Sequence, residues 1–508
     1  MNMKSRQLFL MLAICVGVFS SCSNKVEEEV KKKPNIIFIF ADDQAYNTIH
    51  ALGNEEIITP TLDKMVNEGT TFTNAYNMGA WNGAVCQASR AMLNTGVSVW
   101  RAQKADKVMG SWAKEGKMWG NLMQQAGYKT YMTGKWHVGT SPMNCFDSVT
   151  HIRPGMPGDA WDHAAMMKVF KDSVNTGLLT AQEVMPVGYW RPVDEADTVW
   201  QPWDKKFGGF WEGGTHWSEV LKNDALGFID DATQQEKPFF MYLAFNAGHD
   251  PRQSPKEFID KYPLENISLP ASYTPEYPNK ELIGCGPDLR DEALAPFPRT
   301  EYSVKVNRQE YFALITHMDE QINKILEAVE KSGQADNTYI FFTADHGLAI
   351  GNHGLLGKQN MYEHSMRPPL MVIGPDVPKN QKVEANVYLQ DIMASTLELA
   401  GVEKPAYVEF NSLMDLAKGE KKESHYASIY GAYTNLQRMV RKDGFKLILY
   451  PKANKVMLFD LKNDPEELTD LSGDEKYAEV KKSLFEEFLK VQKEMGDPLD
   501  ITSLQELI

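Results

Sequence analysis

Cys86 and Arg90, in Cys86-Gln87-Ala88-Ser89-Arg90, stand one turn apart at the start of an apparent helix through Ala91-Met92-Leu93, ended by Asn94-Thr95-Gly96. Residues at this spacing share a helix face. A helix start favours anions through its free backbone N–H groups and its dipole. A nucleophile precursor and a fixed cation therefore meet at an anion site. Asp42 and Asp43 follow one apolar run, and Asp345-His346-Gly347 follows another. Adjacent side chains on a strand face opposite ways, so both aspartates reach one point only where the strand ends and curls; Gly347 permits a sharp turn. These two carboxylates with Asp345 and His346 make an oxygen-rich site for a divalent cation such as Ca²⁺ or Mg²⁺, with His346 the softest member. Lys135-Trp136-His137 aims a cation and an acid–base group into one cleft, because alternate residues of an extended chain face the same way. His249, in His249-Asp250-Pro251-Arg252, can protonate a leaving oxygen. Lys358 lies on a glycine-bounded loop, Gly354 to Asn360, close after the Asp-His turn. Singly, each has an ordinary reading as a turn aspartate, a partly buried histidine or an exposed loop lysine. Together they describe a pocket with one divalent cation, several fixed cations and a nucleophile at a helix start, suited to a tetrahedral oxyanion ester.

The elements that must position these groups are strands buried on both faces. Asn35 to Ala41 is continuously apolar, as are Phe239 to Phe245 and Thr338 to Thr343; Tyr128 to Thr133 reads as a further strand. Tyr311 to Val329 has helical periodicity. Reactive residues after successive strands are the layout of an open α/β sheet, where ligands gather at the carboxyl ends of strands. After about Tyr407 the texture changes to short strands (Ala427 to Tyr430, Gln437 to Val440, Lys446 to Tyr450, Val456 to Asp460) and a charged helix from about Lys476 to Met495. The expected organisation is a catalytic domain over 34–406 and a smaller C-terminal antiparallel sheet plus helix over 407–508.

Lys4 and Arg6 precede an apolar run from Leu8 to Phe19 and then Ser20-Ser21-Cys22. The run is short for a membrane span and reads as an export signal. Residues 1–21 form a lipoprotein signal with Cys22 as the lipidated residue, or a simple secretory peptide cut near Ser21; 22–33 is a solvated tether. A net charge of −15 over 508 residues argues against broad nucleic-acid binding. Five cysteines make no disulfide framework, and Cys145 and Cys285 can pair or stay free.

The order Ala41-Asp42-Asp43, Cys-x-Ala-x-Arg at 86–90, Gly134-Lys135-Trp136-His137-Val138-Gly139, the block from Asn246 to Arg252, Thr343-Ala344-Asp345-His346-Gly347 and the segment from His353 to Leu370 resembles the type I sulfatases of the alkaline phosphatase superfamily. Within it, the stretch from Thr343 to Ser365 is similar to exported glycan sulfatases of Bacteroides-like bacteria. The resemblance implies an α/β fold with a large mixed sheet flanked by helices, alkaline phosphatase-like. It implies that Cys86 is oxidised to formylglycine (3-oxoalanine), whose hydrate carries the attacking oxygen. It implies one Ca²⁺ held by Asp42, Asp43, Asp345, His346 and the modified Cys86. Arg90 would hold the formylglycine, Lys135 and Lys358 would grip sulfate oxygens, His249 would act as acid and His137 would help release sulfate. Ala88 stands where the family usually has Pro, a form that resembles substrates of anaerobic sulfatase-maturating enzymes. His346 stands where many relatives carry Asn.

The expected substrate is a short sulfated oligosaccharide attacked from its end, with galactose or N-acetylgalactosamine sulfate of host mucin or glycosaminoglycan implied by the resemblance. A marine polysaccharide is the alternative source. Trp81, Asn82, Arg101 and Arg252 are candidates for contacts to the sugar, with Trp100 beside them. Rival readings are a phosphoester or phosphonate hydrolase on the same scaffold and an inactive glycan-binding surface lipoprotein. The expected location is the periplasm or cell surface of a Gram-negative anaerobe, with the membrane reached only through the lipid on Cys22.

Overall fold

Four apolar strands that run side by side carry the candidate residues at one common edge. In the computed structural model, which describes residues 32–157, 163–174, 176–185 and 189–508, an eight-stranded sheet is built from β1 (Asn35–Ala41), β2 (Thr70–Phe72), β3 (Lys129–Lys135), β4 (Ser148–Arg153), β5 (Phe239–Ala244), β6 (Thr338–Ala344), β7 (Leu370–Ile373) and β8 (Gln381–Val383). Its order is β8-β2-β7-β6-β1-β5-β3-β4. β1 is parallel to both β6 and β5, and β3 is parallel to β5 and β4. β7 runs antiparallel to β6 and β2, so the sheet is mixed, as expected. The pairings Ala41 with Ala344, Phe40 with Ala244, and Gly134 with Ala244 bring the carboxyl ends of β6, β1, β5 and β3 level.

β1 explains why the sheet is covered on both faces. Ile36, Phe38 and Phe40 enter one core and Ile37, Ile39 and Ala41 the other, all fully buried. At about 25 cal/mol per Å², burying such a strand on both sides contributes several kcal/mol, and a polar residue at any of the six would forfeit its share. One core is closed by α2 (Trp217–Thr233), through Leu221, Ala225 and Phe228, and by α3 (Glu301–Lys331), through Leu314, Met318 and Ile322. α3 begins ten residues before the expected Tyr311, because Thr300 caps it by accepting from Ser303 N (3.1 Å) and its first turns are polar enough to hide the apolar period.

A second sheet has the order β12-β11-β10-β9 followed by the short strand Gly79–Ala80, where β9 is Ile429–Tyr433, β10 Gln437–Lys442, β11 Phe445–Tyr450 and β12 Lys455–Asp460. Its C-terminal strands are antiparallel meander neighbours, while Gly79–Ala80, from far upstream, joins β9 in parallel. A helix (Ala478–Met495) packs on it through Leu484, Phe485, Phe488 and Val491. Residues 33–508 cluster as one unit. The leader and nearly all of the tether lie outside the described residues. Among the described residues no helix is long and apolar enough to cross a membrane, and Cys86, Cys145 and Cys285 are buried free thiols.

Candidate active site

The helix that carries Cys86, α1 (Val85–Thr95), is wedged between the two sheets. Ala91 and Leu93 pack into the core of the large sheet, whereas Val85, Ala88 and Met92 pack into that of the small one. Only the third side, with Cys86 and Arg90, faces the strand ends. Ala84 at the helix start makes no side-chain cap, so no protein side chain competes for the first N–H groups there. Gly96 ends the helix in the left-handed region, donating to Met92 O.

Asp42 and Asp43 leave the end of β1, and Asp43 takes a left-handed φ of 53°. That bend brings both carboxylates to one side. Asp43 N donates to Asp345 Oδ1 (3.1 Å), tying the ends of β1 and β6 together. Gly347 serves by closeness rather than by an unusual φ: a Cβ there would lie 2.0 Å from His364 O. His137 also has a left-handed φ, 53°, so Lys135 and His137 do not reach the site by strand alternation. Lys135 ends β3 and pairs with Asp42, while His137 turns back to line the cleft beside Cys86.

Asp42, Cys86, Asp345 and His346 place one potential ligand atom each within 4.8 Å of one another, and so do Asp42, Asp43, Cys86 and His249. His346 Nδ1 lies 2.8 Å from Gly347 O and donates to it, which turns Nε2 toward Asp43 Oδ1 (3.2 Å), Asp345 Oδ1 (3.5 Å) and Cys86 Sγ (3.5 Å). The donor set fits a divalent cation. Asp42 Oδ1 is buried without a hydrogen-bond partner, and burial together with the Asp345 charge holds the Asp42 carboxyl well above the usual range. Against burial, Asp345 and Asp43 raise the His346 imidazole to about 9. Both are signs of uncompensated negative charge at a place where a cation would restore balance. Sulfur is not a Ca²⁺ ligand, so an oxygen at the Cys86 position would suit a hard cation better.

Three cations surround that point. Arg90 Nε donates to Asp345 Oδ2 (3.0 Å) and Nη1 to Lys135 O (2.8 Å), with the guanidinium 4.5 Å from the Phe40 ring. Lys358 Nζ donates to Asp43 (2.7 and 3.0 Å) and lies 3.5 Å from Cys86 Sγ. Burial opposes ionisation of the Cys86 thiol, but Lys135 and Lys358 outweigh it and hold the thiol well below its ordinary value. Burial likewise opposes the charge on Lys358, and Asp43 and the Cys86 thiolate outweigh it. Burial keeps His137 neutral, shifting its imidazole down. His249 Nδ1 donates to Asp250 O (2.5 Å), leaving Nε2 directed at the cleft, 3.9 Å from Asp43 Oδ2 and 3.5 Å from Arg290 Nη2. A Cys86 ringed by fixed cations, with a His249 ring nitrogen within 4.8 Å of its sulfur, can stabilise an oxyanion and protonate a departing oxygen.

The loop bearing His249 can approach only because residue 248 is glycine. Its φ is +76°, and a Cβ there would lie 2.3 Å from Asp42 O. Gly248→Ala is expected to destabilise the fold by about 1–3 kcal/mol, seen as a lower melting temperature together with reduced activity. An unchanged melting temperature would refute this close approach.

The cleft above Cys86 encloses about 360 Å³ and is lined by Asn82, Gly83, Ala84, His137, Gly155, Met156, His249, Leu289, Arg290, Asp291, Lys358 and Gln359. Asn82 is there. Trp81, Arg101 and Arg252 do not line it. Trp81 is half-buried against both cores. Arg101 pairs with Glu409 (2.9 Å) and donates to Glu494 O (3.0 Å). Arg252 is buried and donates to Asn307 Oδ1 (3.1 Å). Trp100 Nε1 donates to Tyr430 OH (2.9 Å), away from the cleft. Sequence reasoning missed Arg290 and Asp291. They sit in an aperiodic glycine- and proline-bearing stretch where a charged pair would ordinarily be solvated, and only their place near Gly284-Cys285-Gly286-Pro287 hints at a built loop.

A family model described as "Sulfatase" matches residues 34–402, and one described as "N-sulphoglucosamine sulphohydrolase, C-terminal" matches 351–494. An arylsulfatase of Clostridium perfringens is 30% identical over 476 residues, covering 88% of this chain and 92% of that protein. An N-acetylglucosamine-6-O-sulfatase of Bacteroides thetaiotaomicron is 26% identical over 573 residues, covering 97% and 92%. A structure solved in complex with its substrate D-glucosamine-2-N,6-O-disulfate aligns with a TM-score of 0.67 at 22% identity, covering 92% of this chain and 99% of that one; at this identity it speaks for the fold alone.

Proposed function

The chain belongs to the sulfatase family and is a sulfuric ester hydrolase; on that premise we propose that it removes O-sulfate from carbohydrates, acting from the end of short oligosaccharides. We take the sugar to be a galactose or N-acetylgalactosamine sulfate from host mucin or glycosaminoglycan. The observation that carries this reading is the convergence of Cys86, Lys358 and His249 at the floor of one cleft large enough for a sugar ring.

Cys86, once a maturating enzyme has removed two electrons from its Cβ and exchanged sulfur for oxygen, supplies the attacking oxygen as hydrated formylglycine. Asp42, Asp43, Asp345 and His346 would hold Ca²⁺. That ion, when bound, supplies Lewis-acid charge stabilisation at the sulfuryl oxygens. Lys135 and Lys358 bind those oxygens and offset the charge that grows on them. Arg90 holds Asp345 and the Lys135 backbone in place. His249 gives the proton at Nε2 to the leaving sugar oxygen, and neutral His137 takes a proton when sulfate is released. The domain boundary near 407, export through residues 1–21 and a lipid on Cys22 complete the proposal, with Ala88 favouring an anaerobic maturase.

Mass spectrometry of the tryptic fragment containing Cys86, from protein co-expressed with such a maturase, tests the first step. A loss of about 18 Da is expected for the thiol-to-aldehyde change, and an intact thiol in catalytically active protein would reject it. His249→Ala is expected to reduce kcat/KM by about 10²–10⁴-fold on sugar sulfates, whose leaving oxygens need a proton, and by under about tenfold on p-nitrophenyl sulfate. Equal losses would remove His249 from the acid role. A panel of galactose and N-acetylgalactosamine O-sulfates, carrageenan fragments and a phosphonate monoester identifies the ester and its source.

A further inference from the structure

The roles above leave one wall of the cleft unexplained. Arg290 stands between two carboxylates, its Nη1 donating to Asp250 and its Nη2 to Asp291, with Nη2 also 3.5 Å from His249 Nε2. On the far side, Gln359 Nε2 donates to Asp291 Oδ2 (2.7 Å) and to Gly83 O (3.1 Å). Asp291 is therefore clamped from both sides, next to the histidine expected to meet the leaving oxygen. Each oxygen of this carboxylate accepts one of these bonds and retains a free lone pair. Arg290 and Lys358 keep the carboxyl of Asp291 low against the effect of burial, so it is an acceptor only.

The arginine already faces two carboxylates, Asp250 and Asp291, so its charge is more than offset. The trio Asp250–Arg290–Asp291 carries one net negative charge. Met156 and Leu289 add apolar surface to the same cleft. A lining that accepts hydroxyl hydrogens and also packs on C–H groups is what an uncharged sugar ring requires. We infer that Asp291, aligned by Arg290, is a specificity residue that accepts a hydroxyl hydrogen bond from a neutral sugar ring bearing the scissile sulfate and repels rings with a further anionic group at that position. This rests on the sulfate-ester reading above.

The test is steady-state kinetics of matured wild type and Asp291→Asn on three probes: p-nitrophenyl sulfate, the best monosulfated hexose or N-acetylhexosamine, and D-glucosamine-2-N,6-O-disulfate. For Asp291→Asn, the loss of kcat/KM on the monosulfated sugar is expected to exceed that on the aryl ester by at least about tenfold, chiefly through KM. The preference for the monosulfated over the disulfated sugar should shrink in the same variant. Equal losses on aryl and sugar esters would overturn the inference, since Asp291 would then act through Lys358, 3.9 Å away. Unchanged sugar kinetics would overturn it as well. The wild type alone supplies a second reading that needs no folded variant: it should prefer the monosulfated sugar, less so at high salt, and a preference for the disulfated one refutes the inference. Matured wild type that releases sulfate from none of the probes would instead overturn the sulfate-ester reading beneath it.

Discussion

Cys86→Ser, in a host whose maturase accepts only cysteine, is expected to lower kcat/KM for sulfate esters by at least about 10³-fold. Cys86 is buried at the cleft floor, with Lys358 and His346 each 3.5 Å from Sγ. Serine is close to cysteine in size, so the variant should fold, and its melting temperature should stay within a few degrees of wild type. The loss would then be chemical: a hydroxymethyl group left unoxidised has no hydrate to offer. Activity equal to wild type would reject the formylglycine assignment and leave an ordinary oxygen nucleophile in its place. The fragment mass and the kinetics must agree, because they report the same conversion.

Removing the divalent cation is expected to be nearly as severe. A metal that stabilises charge on the sulfuryl oxygens supplies about 3 kcal/mol or more, which is at least ~100-fold in rate. Chelation should abolish turnover and added Ca²⁺ should restore it. A second readout is independent of catalysis. Asp42, Asp43 and Asp345 are fully buried together, so the ion-free fold carries their mutual repulsion, and a ligand that binds only the folded state raises stability by about 2.7 kcal/mol at a hundredfold excess over its Kd. The melting temperature should therefore climb with Ca²⁺ concentration in wild type. In Asp42→Asn, which loses the carboxylate whose Oδ1 has no hydrogen-bond partner, the climb should flatten. Insensitivity of wild type to both chelator and Ca²⁺ would refute the metal site.

The legible parts of this protein were local ones. β1 could be read to the residue, since six apolar residues in a row, Ile36 to Ala41, have no other ready place than a doubly covered strand. The Cys86 helix and its Gly96 stop were equally plain, because a helix start and a left-handed glycine end act within one turn. Other features were read correctly in outline but for a different backbone reason. Lys135 and His137 were expected to align by strand alternation, yet the strand ends between them and a left-handed residue makes the turn. The sugar-facing candidates fared differently from one another. Trp81, Arg101 and Arg252 have the right chemistry, but core packing and ion pairs hold them elsewhere, while Asn82, adjacent to Trp81, lines the cleft.

Chain order alone determined that reactive residues follow buried strands, and hence that they gather along one sheet edge, because parallel strands in an open sheet end on the same side. It also offered Asp42, Asp43, Cys86, Arg90, Lys135, His137, His249, Asp345, His346 and Lys358 as candidates, each within a few residues of an element whose period is visible, and the fold brings them together at that edge. It could not decide what forms the walls. Arg290 and Asp291 come to the cleft because Asp250 on one loop and the consecutive Lys358 and Gln359 on another pair with them inside a buried volume. Likewise Ala88 is small because the Gly79–Ala80 strand and β9 bring a second core against α1. Such choices depend on which distant segments share one low-dielectric space, where unpaired charge is too costly to leave, and that is a property of the packed chain rather than of any stretch of it.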